Sequence, residues 1–264
     1  MIYQILEAFV LGLVQGLTEF LPVSSSGHLE LAKAIFGQDR LPEESLTLTV
    51  LLHLGTALAT IGVFRKDILE LLQGIMHPGK ERNYIVFIIV SMIPAGLIGF
   101  FFEDSFSYFF DGKIWLVGLC LWLTAALLFI SEKQPGADRS VGLTQGWWIG
   151  VAQAVALLPG VSRSGATISM ALLLGIERKR AARFSFLMVI PLILGKVAKD
   201  LLSAEMHIGG NDVLPALIGL LTAFFSGWIA CVWMISLVQQ AKLRYFALYC
   251  FIVGAIAIYF GYFL

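Results

Sequence analysis

Charge is what this 264-residue sequence has least of: Asp, Glu, Lys and Arg make up 14% of it, against 58% hydrophobic residues. A soluble domain has about a quarter of its residues charged, and the mean hydropathy of +0.86 excludes one here. There is no basic excess, since 18 basic side chains meet 18 acidic ones, so no nucleic-acid partner is expected. The three cysteines, Cys120, Cys231 and Cys250, sit in apolar segments without metal-ligand spacing and read as small buried hydrophobes. The N-terminus lacks a basic n-region: Glu7 interrupts the first apolar run and the first Lys is Lys33, so no cleavable leader is expected.

What is there is long apolar runs. Residues 46–64, 84–102, 114–130, 184–202, 213–235 and 245–264 each approach the ~20 residues that cross a bilayer as a helix. Two other stretches, 2–36 and 146–176, are helix-like, broken near the middle by Pro and a Ser/Gly turn, then helix-like again. A break at membrane depth predicts a re-entrant hairpin, because non-helical backbone survives there only when buried in protein or lining a wet cavity. The basic loops 65–82, 177–183 and 242–244 are assigned to the cytoplasm and the acidic-leaning 103–113 and 203–212 to the outside. Counting crossings then makes each half a hairpin plus three spans, with opposite orientation.

The expected fold is therefore an all-α polytopic membrane protein in one integral domain, residues 1–264: an inverted repeat of about 1–130 and about 141–264, with six spans and two re-entrant hairpins. Pro94, Pro191 and Pro215 are expected to kink or start spans. The repeat is visible in the chain itself. Residues 15–28 read QGLTEFLPVSSSGH and residues 153–167 read QAVALLPGVSRSGAT, so that Gln15 matches Gln153, Ser24 matches Ser162, Ser26 matches Ser164 and Gly27 matches Gly165 at one constant offset. Ser25 in the first copy stands where Arg163 stands in the second. Inverted repeats place a shared site near the bilayer midplane, where their broken helices meet.

Glu19 lies one helical turn after Gln15 inside an apolar region. An intramembrane carboxylate is costly and is a functional candidate by default. Arg163 is the sharper signal, since a guanidinium cannot escape by losing its proton; pairing with Glu19 would neutralise it at a large desolvation cost. Ser24, Ser25, Ser26 and Gly27, and Ser162, Arg163, Ser164 and Gly165, each lead into a helix, and helix N-termini with hydroxyls and an Arg fork make a phosphate or diphosphate cradle. His28 is the histidine of the motifs and, with Ser25 and Glu19, supplies candidates for nucleophile, proton carrier and orienting or metal-binding carboxylate. His53, inside a span, reads as a hydrogen-bonded core histidine.

QGLTEFLPVSSSGH together with PGVSRSGAT closely resembles the motifs of the undecaprenyl-diphosphate phosphatase family associated with bacitracin resistance, and the resemblance extends over the whole chain in length, motif order and apolar layout. It implies hydrolysis of undecaprenyl diphosphate to the monophosphate, which recycles the cell-wall lipid carrier. It also implies a bacterial plasma (inner) membrane, a site open to the external or periplasmic side, and a divalent cation such as Mg2+ or Ca2+. On that resemblance Glu19 is the essential acidic residue and a metal ligand, Ser25 and His28 are the candidates for direct attack, and Arg163 is the phosphate-binding arginine. The resemblance also makes Ser162 and Thr167 supporting groups, and Gln15, Ser24, Ser26, Gly27 and Ser164 complete the substrate-binding groups expected from the two motifs. Gln15 stands where the family allows Glu or Gln, so Glu19 and the substrate's own phosphates must supply most oxygen ligands to any cation. A polyprenyl-phosphate transporter or flippase is the alternative function, since inverted repeats with broken helices also build transporters. Small residues in the spans can pack helices within one chain or between two, which leaves a homodimer open.

Overall fold

A computed structural model describes residues 2–28, 31, 46–110, 113–134, 138–202 and 213–263. The chain is helical throughout these residues: α1 (Ile2–Phe20), α2 (Leu46–Val63), α3 (Arg65–Gly74), α4 (Lys80–Phe110), α5 (Ile114–Glu132), α6 (Leu143–Val155), α7 (Arg163–Leu173), α8 (Arg178–Leu202), α9 (Val213–Gln239) and α10 (Arg244–Phe263). An isolated bridge joins Arg139 to Ile176. All six apolar segments form helices. Among the described residues four are long and apolar enough to cross a membrane, within α4, α5, α9 and α10, or five if α2 and α3 form one span bent by 75°. The arm of the first hairpin beyond His28, apart from Leu31, and the acidic-leaning 203–212 segment lie outside the described residues.

Three expected loops turn out differently. The basic 65–82 segment contains α3, an amphipathic helix turned away from α2 and tied to α8, where Arg183 Nε meets Asp67 Oδ1 at 2.5 Å and the Arg183 guanidinium lies over the Tyr84 ring. The basic 177–183 loop is largely the first turns of α8. Helix α4 runs on to Phe110 through most of the expected external loop 103–113, because no Gly or Pro stands between Gly99 and Gly112 to stop it.

The distribution of side chains is the reverse of a soluble protein's. Phe100, Phe101, Trp147, Trp148, Phe225, Ile229, Trp233 and Tyr259 are exposed, while Thr56, Thr60, Ser91, Thr124, Ser131, Thr167, Ser169 and Ser185 are buried. An apolar surface of that extent belongs against lipid. The interior hydroxyls are satisfied locally, as when Thr60 donates to Thr56 O at 2.9 Å, or by bridging helices, as when Ser131 donates to Ser169 Oγ at 3.0 Å. A larger core of Phe20, Phe64, Phe184, Phe186, Met188 and Met234 fills the space among α1, α2, α8 and α9, with the Phe20 and Phe186 rings edge to face at 5.7 Å.

Helices approach through small residues, which is how helices associate where lipid removes the hydrophobic drive. Helix α1 lies along α9 and α6 along α4; α5 and α10 lie against each other. On α1, a Cβ at Gly16 would collide with Ser226 Oγ and stand 2.7 Å from Gly227 N, and Ser226 Oγ donates to Gly12 O at 3.2 Å. At the α5–α10 crossing Gly118 and Gly254 face each other, each within 2.8 Å of the other's carbonyl were a Cβ present. Gly16→Leu is accordingly expected to cost upward of about 3 kcal/mol, because the obstacle is backbone that cannot yield. It should remove the monodisperse peak in detergent. Gly96→Ala, at a helical glycine with nothing within 4 Å, should leave Tm unchanged or slightly raised.

Candidate phosphate site between two helix-breaking turns

Pro22 stops α1, and the chain turns through Leu21–Ser24 before a helical turn at Ser25–His28. Ser24 takes a left-handed backbone, φ 67°, which few residues other than glycine adopt. In the second half α6 ends at Val155, the turn passes through Gly160 at φ 95°, and α7 starts at Arg163. The two turns are capped alike. Ser24 Oγ accepts from Gly27 N at 3.2 Å and lies 3.4 Å from Ser26 Oγ; Ser162 Oγ accepts from Gly165 N at 3.1 Å and lies 3.3 Å from Ser164 Oγ. Such a serine cap stabilises a helix start by ~1 kcal/mol.

The turns touch each other in a reciprocal way. A Cβ on Gly27 would stand 2.8 Å from Gly160 Cα, and one on Gly165 would stand 3.2 Å from Pro22 Cβ. Gly27 corresponds to Gly165, and Pro22 to Gly160, at the same offset that relates the motifs. Where they meet they leave a cavity of about 110 Å³ lined by Thr18, Glu19, Ser24, Ser25, Ser26, Ala156, Val161, Ser162 and Arg163. That is room for one phosphate group and not for an isoprenoid chain.

The charges of the cavity come one from each half. Arg163 Nη2 is hydrogen-bonded to Glu19 Oε1 and reaches Glu19 O at 3.4 Å, with side chains 18% and 11% exposed respectively. The second carboxylate oxygen, Oε2, accepts from Gln15 Nε2 at 3.1 Å. Arg163 Nη1 is buried and has no hydrogen-bond partner among the described residues. A guanidinium nitrogen left unpaired beside a ring of hydroxyls is a donor held for an acceptor oxygen from elsewhere. The Ser25 hydroxyl lines the same cavity and makes no hydrogen bond among the described residues.

Of the residues expected to form the site, Glu19, Ser24, Ser25, Ser26, Ser162 and Arg163 are brought together, with Gln15 one turn behind. Gly27 closes the contact between the turns. Ser164 points at the other turn, its Oγ donating to Leu21 O at 3.3 Å. Thr167 supports from behind, donating to Arg163 O at 2.8 Å and lying 2.6 Å from Ser185 Oγ. His28 does not line the cavity: Nδ1 lies 2.8 Å from Ser24 O and Nε2 lies 2.7 Å from Tyr249 Oη, with the two rings stacked 5.5 Å apart. Thr18, which the sequence reading does not single out, lines the cavity, and its bond to Val14 O at 2.8 Å gives it the look of an ordinary helix threonine. His53 on α2 is the hydrogen-bonded histidine expected inside a span, part-buried with Nδ1 2.8 Å from Thr49 O.

No three His, Cys, Asp or Glu residues cluster as metal ligands among the described residues. The cavity offers a hard cation one carboxylate and several hydroxyl oxygens, which fits an ion carried in with a phosphate and not one caged by protein.

These features define a class: a multi-pass helical membrane protein whose polar site is shared between two helix-breaking turns, one supplying a carboxylate and the other an arginine. The chain matches the family described as Bacitracin resistance protein BacA over residues 8–256, and it belongs to that family. Relatives named undecaprenyl-diphosphatase include one from Christiangramia forsetii, 52% identical over 260 residues and 98% of each chain. Another, from Bacteroides fragilis, is 44% identical over 258 residues and 96% of each chain, and one from Methanobrevibacter smithii is 38% identical over 270 residues and 96% of each.

The ion pair makes a stability prediction. Glu19→Ala or Arg163→Ala leaves the opposite charge buried and unpaired, which costs about 3–5 kcal/mol. The Glu19→Leu/Arg163→Met double variant should melt well above either single, when thermal unfolding of all the proteins is followed in one detergent.

Proposed function

We propose that this protein hydrolyses undecaprenyl diphosphate to undecaprenyl phosphate and inorganic phosphate. The observation that carries the reading is the cavity itself: a phosphate-sized space holding an arginine with an unpaired nitrogen, a free serine hydroxyl and a carboxylate. The name shared by relatives covering nearly the full chain supplies the lipid.

In this reading the terminal phosphate enters the cavity and takes the free Arg163 nitrogen, with the α7 N-terminus and Ser162 behind it. Ser25 Oγ attacks the terminal phosphorus while Glu19 takes its proton. The bridging P–O bond breaks, undecaprenyl phosphate leaves, and a phosphoserine remains. Water then attacks that phosphorus, Glu19 returns the proton it holds to the departing serine oxygen as the Oγ–P bond breaks, and inorganic phosphate leaves with the protons of the water. Arg163 and the α7 N–H groups offset the charge that grows on the equatorial oxygens. Both ring nitrogens of His28 are engaged outside the cavity, which favours Ser25 over His28 as nucleophile. A divalent cation, Mg2+ or Ca2+, would be held by Glu19 together with the substrate's phosphate oxygens and would neutralise charge on the leaving phosphate.

We also read the two halves as an inverted repeat. Exchanging them maps the α1–α9 contact onto α6–α4 and the α2–α9 contact onto α8–α4, with α5–α10 at the centre. On the same reading the basic segments 65–82, 177–183 and 242–244 face the cytoplasm of a plasma membrane and the first turn is accessible from the external side, an orientation that the positive-inside rule supports.

Phosphate release from undecaprenyl diphosphate by purified protein tests this. Wild type should turn over. Arg163→Ala should lose at least about 10²-fold, the size of removing one charge-stabilising donor, and Ser25→Ala should lose more. Radiolabelled phosphate should be trapped on Ser25; trapping on His28 would assign the attack there instead. Chelation should stop turnover and added cation restore it. A folded wild type that releases no phosphate but moves lipid phosphate across vesicles would make the protein a flippase.

A further inference from the structure

We infer that Thr124, on α5 and outside both motifs, is a positioning residue that sets the phosphate-binding turn through its hydroxyl. This deepens the phosphatase reading and rests on it for the role of Arg163.

Thr124 is fully buried. Its Oγ1 donates to Gly160 O at 3.1 Å, sharing that proton with Cys120 O at 3.2 Å in its own helix, and accepts from Ser162 N at 3.0 Å. One hydroxyl thus clips both sides of the turn that carries Arg163. Among the described residues the partners it satisfies have no other: Ser162 precedes the first residue of α7 and its N–H points back towards α5, while Gly160 is in the left-handed region and packs against α5. A Cβ on Gly160 would stand 2.8 Å from Cys120 Cβ and collide with Val117 O, so the turn cannot move towards α5 to find a substitute bond. Without the hydroxyl a buried N–H and a buried carbonyl lose their partner together, and an unsatisfied buried group drives the local backbone to rearrange.

Among the described residues the first half lacks this device. The corresponding carbonyl, Pro22 O, takes the Cys250 thiol of α10 at 3.5 Å, a weak donor at long range. Tight clipping is reserved for the turn with the arginine. From Ser162 the order passes along the chain: its Oγ caps Gly165 N, and Arg163 stands between them with Nη2 on Glu19 and Nη1 free. Rotating that turn by a few tenths of an ångström moves the guanidinium fork relative to the cavity, and loss of aim costs rate steeply.

The test compares Thr124→Val, which keeps the shape and removes the hydroxyl, with Thr124→Ser, which keeps the hydroxyl. Two quantities are measured on folded protein in detergent: kcat/KM for undecaprenyl diphosphate, and affinity for inorganic phosphate by titration calorimetry. Thr124→Val should lower both by about tenfold, a 1.4 kcal/mol effect, and Thr124→Ser should recover most of each. A purely structural threonine would lower Tm in Thr124→Val while the folded fraction bound phosphate as wild type does. That result, or a Thr124→Ser as impaired as Thr124→Val, would overturn the inference. If wild type releases no phosphate from the lipid, the phosphatase reading falls alone and the calorimetry still decides: weaker phosphate binding in Thr124→Val sustains the inference, and a wild type that binds no phosphate overturns it.

Discussion

A guanidinium cannot shed its proton, and Arg163 therefore has to be answered wherever the fold puts it. Here it is put between helices in a protein whose surface is apolar, and the answer comes from Glu19, 144 residues away in the sequence. Most of the site's construction follows from that demand. The carboxylate must approach without being smothered by side chains, so α1 meets α9 through Gly12 and Gly16 and reaches the turn closely packed. Its second oxygen must be occupied, and Gln15 one turn earlier occupies it. What is left over is one arginine nitrogen, Nη1, which has no partner among the described residues. Replacing such a pair by packed apolar groups is often neutral or stabilising, so its presence points to chemistry and not to cohesion.

The second constraint is backbone. Each break exposes N–H and carbonyl groups at a depth where water does not normally supply partners. The serines meet this first, each capping the N–H three residues on. The neighbouring helices meet it next, with Thr124 and Cys250 bonding the carbonyls at equivalent positions of the two turns. The glycines let the turns come close enough to each other to share a cavity. Serine, glycine and threonine in these motifs thus serve structure and binding at once, and the same hydroxyl that caps a helix lines the phosphate-sized space.

Composition sufficed to place the protein in a membrane, and the constant offset between two short motifs sufficed to pair the turns and to anticipate that Glu19 and Arg163 would meet. That worked because costly groups at membrane depth have few solutions. The boundaries of α3 and α4 depart from the sequence expectation because charge alone does not mark a loop: the 65–74 stretch is charged yet amphipathic, and 103–110 is polar in part yet free of breakers. His28 was read with its neighbours in sequence, but its ring is captured by Tyr249, 221 residues away, a contact with no local trace. Thr124 did leave a trace. It is the lone hydroxyl in the apolar run 114–130, and a single polar group in such a span needs a partner.

The two motifs do not double each other's charge. Two carboxylates or two guanidinium groups in one small cavity would repel at close range with no solvent to screen it. At the offset that relates the motifs Leu157 stands against Glu19 and Ser25 against Arg163, so each charge comes from one half and neither half is complete by itself. The first half alone would hold Glu19 with only Gln15 beside it, and the second would hold Arg163 with no acceptor. Charge neutrality at the site is therefore a property of the assembled chain. It arises only when both motifs reach the same place, which is also what brings the Arg163 and Ser25 side chains to the lining of one cavity.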